Sequence, residues 1–149
     1  MKKLLLLPIG AVVLWSVWFY QPDRQLERRH RKLITAVESR NWKKLSAMTT
    51  DDFHAGLYDK AEAFETGKEL FRPFFSVQLT EHDKTRNGNV ITSLIRMEGK
   101  GAAFANEIVL LINQQKEPVV FTWRRMSWKP WDWKLFNAEH PLFHTSANF

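Results

Sequence analysis

The sequence predicts an α+β fold in a single domain, with helices first and a meander of antiparallel strands after them. Three observations predict it. Helical spacing of apolar residues dominates from Pro22 to Phe75, and strand-like alternation dominates from Val77 to Glu139. Asn87-Gly88 stands between two alternating runs, which is the strongest two-residue hairpin signal. The 149 residues suit one domain, and 44% hydrophobic with 13% aromatic residues is the composition of a chain that buries a core.

The elements follow in order. Pro22 opens a helix, with Asp23 where the helix dipole favours a carboxylate. Leu26, Leu33, Ile34 and Val37 fall on one face with His30 in the same stripe, and the helix runs to about Ser39. Asn41-Trp42 turns into a short helix from Lys43 to Met48. Thr49 to Asp52 reads as a break, Phe53 to Tyr58 as a short extended piece, and Thr66 to Phe75 as a third helix with Glu69 in capping-box register. Val77, Leu79 and Glu81 then alternate with Gln78 and Thr80. Val90 to Glu98 forms the partner strand, and Gly99-Lys100-Gly101 punctuates. Phe104 to Asn113 reads as a long apolar strand containing Glu107. Val119 to Ser127 and Trp131 to Glu139 close the sheet around a turn at Trp128-Lys129-Pro130.

Lys2 and Lys3 precede an uncharged run from Leu4 to Tyr20. Its 17 positions span about 25 Å of helix against roughly 30 Å of hydrocarbon. Trp15, Trp18, Phe19 and Tyr20 crowd the far end, where an aromatic belt sits at headgroup level. Residues 1–21 are therefore expected to be an uncleaved signal-anchor, 22–144 the domain, and 145–149 a tail. The bulky residues VWFYQPDRQ argue against cleavage, which needs small ones. The lysine start places the domain outside the cytoplasm, on the periplasmic side. The alternative is the cytoplasmic face, which the positive-inside rule would assign to Arg24, Arg28, Arg29, Arg31, Lys32 and Arg40.

Two segments carry a resemblance. AVESRNWKKLSAMTTDDF, from Ala36 to Phe53, is similar to the helix, D/N-W-x-x-L and x-D-D-F entry of the nuclear transport factor 2-like superfamily. WDWKLFNAEHP, from Trp131 to Pro141, is similar to its Trp-x-(Lys/Arg)-apolar last strand. That superfamily includes SnoaL-like cyclases and ketosteroid isomerase. The resemblance covers about residues 22–144 and implies a cone in which a strongly bent sheet and three helices enclose a pocket. It does not imply one function, since the fold hosts isomerases, dehydratases, binding modules and scaffolds.

Enzymes of that fold work through a carboxylate base with a Tyr or Asp donor. The resemblance puts Asp51, Asp52, His54, Tyr58 and Asp59 near the pocket mouth, and Arg96 and Glu107 on central strands. Those residues could do acid–base work in a dry cavity. More often Asp51 and Asp52 would cap a solvated turn, Tyr58 would be a rim aromatic, and Arg96 and Glu107 would pair across strands. The candidate pocket set is His54, Tyr58, Arg96, Glu107 and Trp123. None of them maps onto the Tyr/Asp/Asp set of ketosteroid isomerase, which argues against catalysis. Zero Cys removes disulfides, thiol nucleophiles and Cys-ligated metal. The five His are scattered, and His140 and His144 are interrupted by Pro141, so no metal and no cofactor is expected.

Trp123, Trp128, Trp131 and Trp133 interleave with Arg124, Arg125, Lys129 and Lys134. This could be a nucleic-acid surface, yet it also arises in any hairpin with one packed and one wet face. Trp131 and Trp133 are assigned to an inward face. Trp128 in the turn suits a partner or a lipid interface. The net charge of +6 helps decide. Residues 22–44 hold eight basic and three acidic side chains, whereas residues 45–149 hold 12 and 13. The excess is a membrane-proximal collar of Arg24, Arg28, Arg29, Arg31 and Lys32 on a nearly neutral domain, so membrane lipid rather than nucleic acid is the expected partner. The function expected is a tethered, non-catalytic domain that binds a small apolar ligand or a partner protein, with homodimers through the sheet. The alternatives are an envelope assembly scaffold, similar to the inner-membrane subunit of type IV secretion systems, and a tethered isomerase- or dehydratase-like enzyme.

Overall fold

A computed structural model describes residues 6–19 and 21–145. Lys2, Lys3, Tyr20 and residues 146–149, which belong to the expected anchor and tail, lie outside the described residues. The described chain runs α1 (Leu6–Phe19), α2 (Pro22–Glu38), α3 (Trp42–Met48), β1 (Thr49–Ala55), β2 (Tyr58–Asp59), α4 (Lys60–Phe71), β3 (Phe74–Asn87), β4 (Val90–Gly101), α5 (Ala105–Asn113), β5 (Val119–Arg125) and β6 (Trp133–Glu139), then a 3₁₀ turn (Pro141–His144). This is the expected α+β class.

The described strands form one sheet in the order β2-β1-β6-β5-β4-β3. The β3–β4 hairpin closes at Asn87↔Val90, and Gly88 takes the positive φ of 61° that its tight turn requires. β5 continues antiparallel on β4 and β6 on β5. β1 breaks the meander by joining β6 in parallel, with Thr49 opposite Leu135 and His54 opposite Asn137. A return strand of that kind, far away in sequence, leaves no local signal.

The buried stripe of α2 (Leu26, His30, Leu33, Ala36) lies on the inward residues of the sheet, among them Ile91, Phe121, Trp123 and Leu135. Leu45, Met48 and Phe53 complete that core. A smaller cluster of Phe74, Met97 and Ala105 closes the other end beneath α5.

Several expectations are corrected. Phe104–Asn113 is not a strand. Ala105, Ile108, Val109 and Ile112 share one packed face at helical spacing, while Leu110 is 57% exposed. A nine-residue apolar run fits either period, and here tertiary packing chose the helix. Glu107 therefore sits in the first turn of α5, not on a central strand. Gly99 to Gly101 extend β4 rather than ending it.

The third domain helix begins at Lys60 instead of Thr66. Asp59 Oδ1 accepts from Glu62 N–H at 2.9 Å, and Glu62 Oε2 accepts from Asp59 N–H at 3.1 Å. D-K-A-E is thus the working capping box, and T-G-K-E lies inside the helix. Trp131 is 47% exposed in the turn before β6, so only Trp133 packs on the core.

The transmembrane expectation also changes. α1 has 14 residues, about 21 Å of helix, and among the described residues no helix is long and apolar enough to cross a membrane.

Candidate functional site

Among the described residues, two concavities are candidates for a site. The larger, about 800 Å³, is an open groove between α3, β1 and α4. Trp42, Phe53 and Phe64 form its apolar floor, and Asp51, Asp52, His54 and Asp59 are on its walls. Many of its polar groups are already engaged. Asp59 caps α4, Lys60 Nζ donates to Ser46 O at 3.0 Å, and Asp52 pairs with Arg124 at 3.1 Å. The Asp52 carboxyl is held below its ordinary range by the hydroxyl of Thr50 first and the guanidinium of Arg124 second. Among the described residues no group of three His, Cys, Asp or Glu could hold a metal.

The smaller concavity, about 300 Å³, is the more enclosed and lies between the sheet, α4 and α5. Its walls are Ile95 and Val119 from the sheet, Leu70 and Phe71 from α4, and Ile108, Leu111 and Ile112 from α5. The 3₁₀ turn covers one side with Leu142 and Phe143. Its volume is at the lower end for small-molecule pockets, and apolar walls with a few polar groups at the rim are what such pockets share.

Of the polar lining, Tyr58, Gln115 and His140 are held by the chain itself, while Glu117 is exposed. Tyr58 Oη–H donates to Thr145 O at 3.4 Å. His140, 4% exposed, donates from Nε2 to Glu117 O at 3.1 Å, and its Nδ1 accepts from Leu142 N–H at 3.1 Å. Both nitrogens are occupied, so this ring caps the 3₁₀ turn. Gly56, at φ 56°, lets β1 turn beneath Phe143, where an added Cβ would stand 2.5 Å from the Phe143 side chain. The cover over the pocket is thus tied down from both sides.

Of the five pocket candidates named from sequence, only Tyr58 lines this pocket. His54 lines the open groove, stacked edge-on against Phe136 at 5.3 Å. The half-buried Arg96 donates to Gln115 O at 2.9 Å and ties α5's end to β4. Glu107 is exposed. Trp123, fully buried, fills the centre of the cone and lines neither concavity.

A buried polar cluster lies in that centre. His30, with 0% exposure, donates from Nε2 to Glu81 Oε1 at 2.6 Å, and Ser93 Oγ–H donates to the same oxygen at 2.9 Å. Phe121 and Trp123 stand edge-on to the imidazole at 4.9 and 5.9 Å. Burial alone would push the Glu81 carboxyl up. The His30 and Ser93 hydrogen bonds and the Lys84 ammonium, 3.6 Å away, outweigh that and hold it below its ordinary value. Glu81 was legible as an acid in the inward phase of β3, after Val77 and Leu79. Its meeting with His30 and Ser93 was not, because 51 residues separate it from His30.

The collar residues divide. Arg24, Arg28, Arg31 and Lys32 recur at helical spacing on one side of α2, away from the buried stripe. Arg29 is on the packed side, where its Nε–H donates to Trp133 O at 3.1 Å.

The architecture has counterparts among solved structures. A SnoaL-like polyketide cyclase from Agrobacterium tumefaciens superposes with a TM-score of 0.56 at 7% identity, covering 76% of this chain and 87% of that one. A dehydratase candidate of the NTF2-like family from Streptomyces avermitilis gives 0.53 at 16% identity, covering 79% and 93%. Bd1075 of Bdellovibrio bacteriovorus gives 0.55 at 12% identity; 78% of this chain is covered but only 38% of that one, so this chain spans little more than a third of its length. The cone fold of these proteins is therefore the fold of this chain. No family model matches the sequence. No curated protein matches it either.

Proposed function

We propose that this protein is a membrane-associated, non-catalytic domain of the NTF2-like fold that binds a small apolar molecule in the 300 Å³ pocket between the sheet, α4 and α5. The observation that carries this reading is the state of the rim. Tyr58 and His140 spend their polar atoms on the chain's own backbone, while the walls are aliphatic and aromatic. General acid–base catalysis needs a titratable group within reach of the reacting proton. A side chain whose two nitrogens hold a turn together is poorly placed for that role. Trp123 filling the cone's centre points the same way.

Membrane association is supported by α1, whose Val12, Leu14, Trp15 and Val17 are all at least 60% exposed, and by the basic stripe that follows it on α2. In this reading the domain lies outside the cytoplasm.

Native mass spectrometry of the full chain titrated with a neutral naphthylamine dye tests the pocket. One bound equivalent is expected, and Leu111→Trp, which fills the cavity, should weaken binding about tenfold or more. Absence of saturable binding overturns the reading. Deuterium exchange at the α-carbon of a bound cyclic ketone tests the non-catalytic part. Exchange at the buffer rate is expected, and exchange accelerated by the protein would make it an enzyme of the isomerase type.

A further inference from the structure

The end of the domain nearest α1 carries an apolar feature that the pocket does not use. The β5–β6 hairpin tip, residues 126–132, presents Trp128 at 79% exposure, Trp131 at 47% and Met126 at 46%. Three long-range contacts fix what lies beside it. Arg29 of α2 donates to Trp133 O at 3.1 Å, immediately after the tip. Arg86 and Lys84 of β3 pair with Asp23 and Glu27 of α2 at 2.9 and 2.8 Å. Both hairpin tips and the N-terminal half of α2 therefore share one end of the cone. The Arg24 guanidinium lies 3.6 Å from the centre of the Trp18 ring, which puts the end of α1 there too.

The charge at this end has one dominant sign. Asp23 and Glu27 are taken up by Arg86 and Lys84, and Asp83 and Asp132 are the acids left near the tips. Against them stand the outward stripe of α2 and, flanking Trp128, Arg125 and Lys129. Exposed tryptophan beside lysine and arginine is the composition that settles at a bilayer's headgroup level, with the ring in the boundary and the cations on lipid phosphates.

We infer that the β5–β6 tip is a second membrane contact, and that Trp128, Trp131 and Met126 enter the interface of an anionic bilayer while the α2 stripe lies on its headgroups. This rests on the membrane association proposed above. It adds an orientation. β4 runs from this end toward α5 and β5 returns antiparallel from there to the tip, and the pocket is lined by Ile95, Val119 and α5 itself, beyond the bilayer-proximal half of the sheet. The domain then stands on the membrane with its pocket turned to water, so its ligand arrives from the aqueous side rather than laterally from lipid.

The chain has no cysteine, so a single one can be placed at will. The full chain carrying Ser127→Cys, or Lys116→Cys at the opposite end of β5, is labelled with an environment-sensitive nitrobenzoxadiazole and floated with phosphatidylcholine:phosphatidylglycerol vesicles. The label at 127 is expected to brighten and shift to the blue, less so on pure phosphatidylcholine, while the label at 116 stays as in water. Adding Trp128→Ser and Trp131→Ser should abolish the shift at 127 without abolishing flotation. A chain that floats while the 127 label stays in water overturns this inference and leaves the membrane association standing. A chain that does not float overturns both. A shift at 127 that appears without vesicles as protein concentration rises assigns the tip to a second copy and overturns the lipid assignment.

Discussion

Glu81 ties the stability of the core to pH. A carboxylate on the inward side of β3 is tolerable because His30 and Ser93 both donate to its Oε1 and Lys84 faces it. Since its folded pKa lies below the ordinary value of 4.5, it stabilises the fold above that pH. That contribution is lost as pH falls through the lower folded value. Denaturant midpoints measured between pH 7 and 3 should therefore fall on the acid side, and Glu81→Gln should flatten that limb. At neutral pH the same substitution should cost about 1–3 kcal/mol, because the His30 donor loses its charged acceptor inside the core. A variant whose acid limb keeps the wild-type slope would assign the pH dependence elsewhere. His30 itself was legible as a histidine on an apolar helix face. Its acceptor was not, because nothing local links residue 30 to residue 81.

At the scale of elements, helix ends and short apolar runs decided where reading failed. The chain offers two acid-containing boxes one after the other, D-K-A-E and T-G-K-E, and both satisfy the spacing rule. Only the first is preceded by the β1–β2 turn that gives Asp59 an extended backbone, with φ −69° and ψ 176°. Asp59→Ala should lower stability by about 1 kcal/mol, whereas Thr66→Ala should be near neutral, as thermal unfolding of the two variants would show. The run from Ala105 to Asn113 failed for another reason. β5 pairs with β4 only as far as Val119↔Ser93, so the rest of that strand edge is free to be covered. α5 covers it, and Asn113 exchanges two hydrogen bonds with the Met97 backbone at 2.8 and 2.9 Å, as a neighbouring strand would. The β3–β4 hairpin, by contrast, was legible to within one residue, its turn falling on Gly88-Asn89 rather than Asn87-Gly88, because a tight turn with a positive φ is a local event.

At the scale of the molecule, charge and pocket occupy different parts of one cone. The α2 stripe should make flotation with anionic vesicles sensitive to salt. Replacing Arg28, Arg31 and Lys32 by Glu should remove most of that sensitivity, each cation being worth about 1 kcal/mol against anionic lipid. Arg29→Glu should instead lower stability, since its guanidinium holds the β6 backbone. Salt dependence unchanged in the triple variant would refute the stripe as a lipid contact. By itself the sequence determined what local chemistry can write: the α+β order, the amphipathic face of α2, the β3–β4 turn, the absence of thiol chemistry and the basic segment next to the N-terminal apolar run. Only the tertiary structure decided the parallel β1–β6 pairing, the helical state of α5, the closing of His30 on Glu81 and the separation of Tyr58 from His54 into different concavities. The physical reason is sequence distance. A turn, a cap or an amphipathic stripe is chosen by interactions within a few residues, whereas a pocket is made by side chains that only the folding of distant segments brings together.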